Sequence, residues 1–314
     1  MAFKVLGINW GSPKGTNRKC LEWAMLGAEE AGCETEIIDT FRLNIGRCMG
    51  CGICSSSSRN DGAPTVECVV KDDFQMLRDK FLDADAIITG APVYALTPTG
   101  QYKNFLDRLG PANDFGQTTK EAMKRRSLVP DPKDPTQYVR MDESGQIPPL
   151  DPRVYTKRRP IAYISAGGAK DHHWVSLTMP MMKFLGFPVG CVLIDEVEGW
   201  GGKRADPRRL KQLGRNVGEA AGKHYSTFTY KGDKQGVCPV CHCDFITLNA
   251  GRGTKVECPV CGIEGELKIV DDRIEVDFPI SEWDNSRLMF NGLLEHCNYG
   301  TLVNPPRMQP PKKD

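Results

Sequence analysis

The sequence predicts an α/β chain: a parallel five-stranded sheet with helices on both faces, followed by a small cysteine-rich module that depends on metal for its fold. Three observations carry this. Short, nearly all-apolar runs alternate with stretches of helical period, and each run opens into a loop of small or hydroxylated residues. Past residue 236 the composition changes to Cys, Gly and short β-like runs around two copies of Cys-Pro-Val-Cys.

Phe3, Val5, Leu6 and Ile8 form the first run, with the look of a strand buried on both faces. Cys20, Leu21, Ala24, Met25 and Ala28 then recur at helical spacing until Gly32. Residues 35–39 read as a second strand, 72–83 as a helix with Phe74, Leu77, Phe81 and Leu82 on one face, 86–89 as a third strand and 100–109 as a helix. The polar stretch 111–159 is too long for a routine connection and reads as an insertion that lids a site or makes a subunit contact, with 119–126 helical. Residues 160–165 restore a strand, 174–185 a helix, and 188–194 the last strand. Asp206-Pro207 caps a helix running towards Phe228. The expected units are an α/β domain over 1–230, a metal module over 237–278 and a tail over 279–314, with a linker between the first two.

With 41 basic and 40 acidic side chains the chain has no bulk field for nucleic acid or an anionic membrane. No apolar run reaches membrane-span length, and the N-terminus runs straight into the first strand, so a cytoplasmic protein is expected. Thirteen cysteines in such a chain, clustered as Cys-x-x-Cys, point to metal more than to disulfides.

Residues 11–18, Gly-Ser-Pro-Lys-Gly-Thr-Asn-Arg, join the first strand to the first helix. Such a turn offers free backbone N–H groups and the positive end of a helix dipole, which is an anion site. Gly7, Gly11 and Gly15 have three residues between neighbours, so the dinucleotide fingerprint G-x-G-x-x-G is absent, as is G-x-x-x-x-G-K-[ST]. Ser12, Thr16 and Asn17 would instead wrap a terminal monophosphate, with Lys14 or Arg18 balancing its charge. The segment resembles the phosphate loop of flavodoxin-like, FMN-binding reductases, although it is shorter and carries Thr-Asn where they carry Asn-Thr. Pro92-Val93-Tyr94, followed by Gly100, Lys103, Phe105, Asp107 and Arg108, is similar to a second signature of NAD(P)H-dependent FMN reductases and their iron-sulfur relatives. Ser165-Ala166-Gly167-Gly168 resembles their ring-edge loop. The resemblance implies a flavodoxin-like doubly wound fold. It also implies FMN, with Pro92, Val93, Tyr94, Ala95, Ser165, Gly167 and Gly168 about the isoalloxazine. For Lys103, Asp107 and Arg108, charge pairing along a helix face is the better reading.

Cys48-x-x-Cys51-x-x-Cys54 is followed, after thirteen intervening residues, by Cys68. Three thiolates at this spacing reach one face of a cubane and a fourth completes it. The run, ending in Asp72-Asp73, resembles the iron-sulfur flavoproteins, which implies a [4Fe-4S] cluster; zinc or free thiols are the alternatives. Cys238, Cys241, Cys258 and Cys261, with sixteen residues between the pairs, have zinc-ribbon spacing. Zn2+ is expected, with rubredoxin-like iron the rival, and His242 and Cys243 read as neighbours that do not ligate. The combined expectation is an oxidoreductase moving electrons among NAD(P)H or a reduced carrier, FMN and a cluster, to a small acceptor or a redox partner protein. An electron carrier serving a partner enzyme, or a sensor with purely structural metals, are the other readings. The resemblance implies a homodimer or tetramer. No side chain is singled out as a catalytic acid or nucleophile.

Overall fold

The computed structural model describes residues 2–51, 54, 68–113, 128–131, 134–140, 151–155, 157–201, 205–233, 236–248, 252–289 and 291–292. Strands β1 (Lys4–Asn9), β2 (Glu34–Asp39), β3 (Ala86–Pro92), β6 (Pro160–Ala166) and β7 (Val192–Gly199) build one parallel sheet in the order β2-β1-β3-β6-β7. Strand pairing is parallel throughout, for example Ile8 opposite Thr89 and Ile88 opposite Ala162. This is the flavodoxin-like arrangement expected from the sequence. The central strands are buried on both faces, which is why they read as continuous apolar runs.

Alternate residues feed two cores. Leu6, Ile8, Trp10, Ile87 and Tyr163 pack with helices α2 (Phe74–Asp83) and α3 (Gly100–Asn113). Val5, Ile88, Ala162 and Ile164 pack with α1 (Thr16–Glu30) and α6 (Pro207–Ala220). These last two helices touch backbone to backbone. A Cβ on Gly214 would come within 1.6 Å of the Ala24 carbonyl oxygen, and one on Gly27 within 1.9 Å of that of Lys211. Gly214→Ala is therefore expected to cost about 3 kcal/mol through overpacking, which lowers Tm by roughly 6–12 °C; a thermal melt matching wild type would contradict this packing.

Several boundaries differ from expectation. The second and third strands begin or end a residue or more beyond the predicted limits, and α2 begins at Phe74 rather than at residue 72. The helix expected over 174–185 is broken: a 3-10 turn His172–Trp174, then α5 (Thr178–Met182), then a 3-10 turn Lys183–Leu185. Pro180 is tolerated only in the first turn of a helix, which keeps α5 short. The last strand starts at Val192 because Phe187–Val189 forms a 3-10 turn closed by Gly190 at φ 65°. Helix α6 stops at Ala220, with Gly222 at φ 74° just beyond, short of Phe228. Within the insertion, β4 (Leu128–Asp131) and β5 (Asp134–Arg140) pair antiparallel, and α4 (Pro152–Tyr155) follows. The helix expected over 119–126 lies outside the described residues.

The C-terminal module is a four-stranded antiparallel sheet, β11-β10-β9-β8, made from Thr247–Leu248 (β8), Lys255–Glu257 (β9), Glu264–Val270 (β10) and Arg273–Asp277 (β11); a short helix α7 (Ile280–Trp283) follows. Its core holds five cysteines with Val256, Val260, Ile263 and Phe278, against which Phe184 of the first domain packs. Among the described residues no helix is long and apolar enough to cross a membrane.

Candidate functional site

The loops that follow β1, β3 and β6 meet at the carboxyl edge of the parallel sheet, where such sheets bind ligands. Asn9, buried at the end of β1, shapes the first loop. Its amide donates to the Gly11 and Ser12 carbonyls at 3.2 and 3.3 Å, and its oxygen accepts from the Gly11 N–H at 3.1 Å. The Gly15 N–H donates back to the Ser12 carbonyl at 2.9 Å. Helix α1 then starts with Gly15 as N-cap, with no side chain capping it and no acidic residue in its first turn. Its leading N–H groups are thus open to an anion.

The predicted phosphate-loop residues divide. Ser12, Lys14 and Thr16 are exposed at the helix start, and Lys14 has no ion pair among the described residues. Asn17 is buried; its amide donates to the Ala166 carbonyl at 3.3 Å, stitching the first loop to the third, while its Oδ1 has no partner. Arg18 is committed elsewhere, to Glu22 at 2.8 Å and Asp39 at 3.2 Å, which leaves Lys14 as the available cation.

The second loop holds a feature invisible in the sequence. Tyr94 and Thr97 exchange both backbone hydrogen bonds around Ala95 at φ 48° and Leu96 at φ 71°. Two positive φ values in a two-residue turn are the type I′ arrangement, normally Asn-Gly, and each costs a non-glycine residue of order 1–3 kcal/mol. The Thr178 hydroxyl holds it, donating to the Leu96 carbonyl at 3.1 Å. Tyr94 is 58% exposed beyond Pro92 and Val93. Gly167 brings the third loop against the second: a Cβ there would meet Val175 at 2.5 Å and Val93 at 3.1 Å. Gly168 faces open space, and the buried Ser165 hydroxyl has no partner. His172 is not a free loop residue. It bonds Glu198 at 2.8 Å and packs on Trp200.

Cys48, Cys51, Cys54 and Cys68 lie beyond β2, and burial, then the nearby Cys68, Cys48 and Cys51 sulfurs, push the Cys54 thiol up; among the described residues their sulfurs are not drawn close enough together to hold a single metal ion. Their segment is tied at its base by Asp72, whose carboxylate accepts from the Gly46 N–H at 2.8 Å, and by Asp73, which accepts from the Asn44 N–H at 2.7 Å.

In the C-terminal module the four sulfurs of Cys238, Cys241, Cys258 and Cys261 are fully buried and lie within 4.8 Å of one another. Each knuckle is turned by hydrogen bonds of its own backbone, His242 N–H to Cys238 O at 3.0 Å and Gly262 N–H to Cys258 O at 2.8 Å. The residue after the second cysteine takes positive φ in both, Gly262 at 79° and His242 at 54°. His242 tolerates this because its ring stacks on Tyr230 at 3.5 Å. Cys243 is buried outside the set of four. Sequence reasoning missed what docks the module: Lys183, buried, donates to the Cys241 and His242 carbonyls at 2.9 Å each and pairs with Glu196. Burial pulls its ammonium down, but Glu196 outweighs that and it is held above the ordinary lysine range.

Residues 3–126 match the model of the NADPH-dependent FMN reductases. Over that stretch the chain is similar to that family. A flavone synthase of Aspergillus candidus is 28% identical over 86% of this chain and 79% of its own length. An iron-sulfur flavoprotein of Archaeoglobus fulgidus is 36% identical over 34% of this chain and 46% of its own. A solved flavone reductase superposes with TM-score 0.73 at 28% identity, covering 96% of this chain and 89% of the other. The likeness to that reductase therefore extends through the cysteine-rich module. The similarity to FMN reductases implies FMN, and the residues present fit it. The uncapped α1 terminus and Lys14 suit its phosphate, and the orphaned Asn17 Oδ1 is an acceptor for a hydroxyl. The four buried thiols of Cys238, Cys241, Cys258 and Cys261 are a soft donor set for metal.

Proposed function

We propose that the protein is an FMN-dependent oxidoreductase taking electrons from NAD(P)H, or from a reduced carrier, and delivering them to a flat conjugated ketone of the flavone type. Its second cofactor would be a [4Fe-4S] cluster on Cys48, Cys51, Cys54 and Cys68, and Zn2+ on Cys238, Cys241, Cys258 and Cys261 would be structural. The observation that carries the reading is the open α1 terminus at the sheet edge that also bears the strained Tyr94–Thr97 turn and the close-packed Gly167 loop, in a chain similar over nearly its whole length to a flavone reductase.

FMN, when bound, would supply two-electron chemistry as hydride transfer and one-electron exchange with a cluster or carrier. The chain's own residues position and shield. Ser12, Thr16 and Lys14 would hold the phosphate and Asn17 a hydroxyl next to it, while the strained Tyr94–Thr97 turn and Gly167 would set the distance between the walls around the ring. Tyr94, Leu96, Trp174 and Leu177, all exposed on the second and third loops, give a flat acceptor an apolar face and exclude water. Overall, NAD(P)H and one proton are consumed as two hydrogens add across the carbon–carbon double bond conjugated to the ketone. Anaerobic NADPH oxidation with a flavone as acceptor tests this: loss of the conjugated absorbance should match NADPH consumed. A rate no greater than that of free FMN would count against it.

A second reading, an electron carrier docking on a partner enzyme, is favoured by one observation. Ile269 and Ile274 stand opposite each other on the outer face of the C-terminal sheet, 74% and 70% exposed. Flavin bleaching by a reduced ferredoxin, with no NADPH turnover on any acceptor, would select it.

A further inference from the structure

The guanidinium of Arg108, on α3, is among the most completely buried charges of the chain, 1% exposed as a side chain. A helix face held by charge pairs accounts for Lys103 and Asp107, which pair with each other in solvent, but not for this residue. Arg108 grips Asp72 with both arms, at 2.6 and 2.9 Å. The same two nitrogens also donate to the Gly46 carbonyl at 3.1 Å and the Val70 carbonyl at 3.4 Å. Gly46 precedes Cys48 by two residues and Val70 follows Cys68 by two, so one planar group closes both ends of the cysteine segment. The ring of Phe74 lies against the guanidinium at 4.2 Å and keeps water from that side. Burial alone would pull its charge down, but the Asp72 carboxylate outweighs that and holds it above the ordinary arginine range. Its Nε–H is buried with no acceptor among the described residues.

We propose that Arg108 is the positioning residue of the four-cysteine centre: it fastens both ends of the segment and keeps a buried guanidinium two residues from Cys48 and from Cys68. A positive charge near a thiolate-bound centre stabilises its more negative, reduced state, and a fastened segment holds its ligands in place. Lysine cannot replace it, because an ammonium lacks the planar fork that serves Asp72 and two carbonyls at once. This rests on the reading of Cys48, Cys51, Cys54 and Cys68 as an iron-sulfur ligand set.

The test compares wild type, Arg108→Gln and Arg108→Lys, purified without oxygen, for iron per chain, for release of that iron to a chelator, and for the midpoint potential of the centre followed by electron paramagnetic resonance. FMN content serves as the check that the fold is intact. Arg108→Gln should lower the potential and release iron more than tenfold faster, with FMN content unchanged. Arg108→Lys should release iron several-fold faster with a smaller shift in potential. If Arg108→Gln does not fold, Arg108→Lys decides alone: wild-type release and wild-type potential overturn the proposal. Iron present in wild type but equally tight, and at equal potential, in Arg108→Gln also overturns it. Wild type that takes up no iron on reconstitution with iron and sulfide overturns the cluster reading itself, a different failure.

Discussion

The variant Ser12→Ala with Asn17→Ala should purify colourless, and its affinity for FMN should fall on the order of 10²-fold or more. A hydrogen bond from Ser12 to the charged phosphate contributes about 1.5–3 kcal/mol and one from a ligand hydroxyl to Asn17 about 0.5–1.5 kcal/mol, which together account for that loss. Asn17 acts twice. Its Oδ1 is a buried acceptor with no partner among the described residues, open to a ligand hydroxyl, and its amide ties the first loop to the Ala166 carbonyl of the third. The fold should survive, because Ser12 is exposed and the loop is held by Asn9 rather than by either substituted residue. Fluorescence quenching of FMN on titration with apoprotein measures the effect. Arg18→Gln is the control: Arg18 is spent on Glu22 and Asp39, so its removal should change FMN affinity far less.

Removing the metal from the C-terminal module should have the largest effect on stability. Its β10 and β11 are mostly exposed, and its core is chiefly cysteine, so apolar burial cannot hold it. Structural zinc contributes about 10–16 kcal/mol to modules of this kind. Cys258→Ser, or strong chelation, should therefore unfold residues 237–278 while the parallel sheet stays intact. Limited proteolysis should cut that segment more than tenfold faster, with one metal ion lost per chain. Undocking also strips Lys183 of two carbonyl partners, leaving it to Glu196 alone. A module that resists protease equally with and without metal would contradict this account.

What was legible in the sequence follows from which forces act locally. The alternation of apolar runs and amphipathic helices reported the sheet, because strands buried on both faces have no choice of residue. Gly11 to Arg18 reported an anion site, because a strand-to-helix turn makes one by backbone geometry alone. The two Cys-Pro-Val-Cys knuckles reported a four-sulfur set, since C-x-x-C spacing places two thiols on one turn. Tertiary effects were not legible. The Ala95-Leu96 turn uses residues that no turn rule favours and is held from 82 positions away by Thr178. Lys183, Tyr230 and His242 dock the two units through contacts with no sequence pattern. Asn9, which shapes the phosphate loop, had one available sign: a polar residue closing an otherwise apolar strand. Arg108 belongs to a motif that reads as helix-surface charge, and only its burial separates it from Lys103.

Binding of FMN is the claim on which the account stands, and titrating the anaerobically purified protein with FMN tests it most directly. The expected result is saturation at one FMN per chain, with quenched flavin fluorescence and an affinity destroyed by Ser12→Ala with Asn17→Ala. Folded protein that leaves FMN fluorescence unchanged at large excess would contradict it.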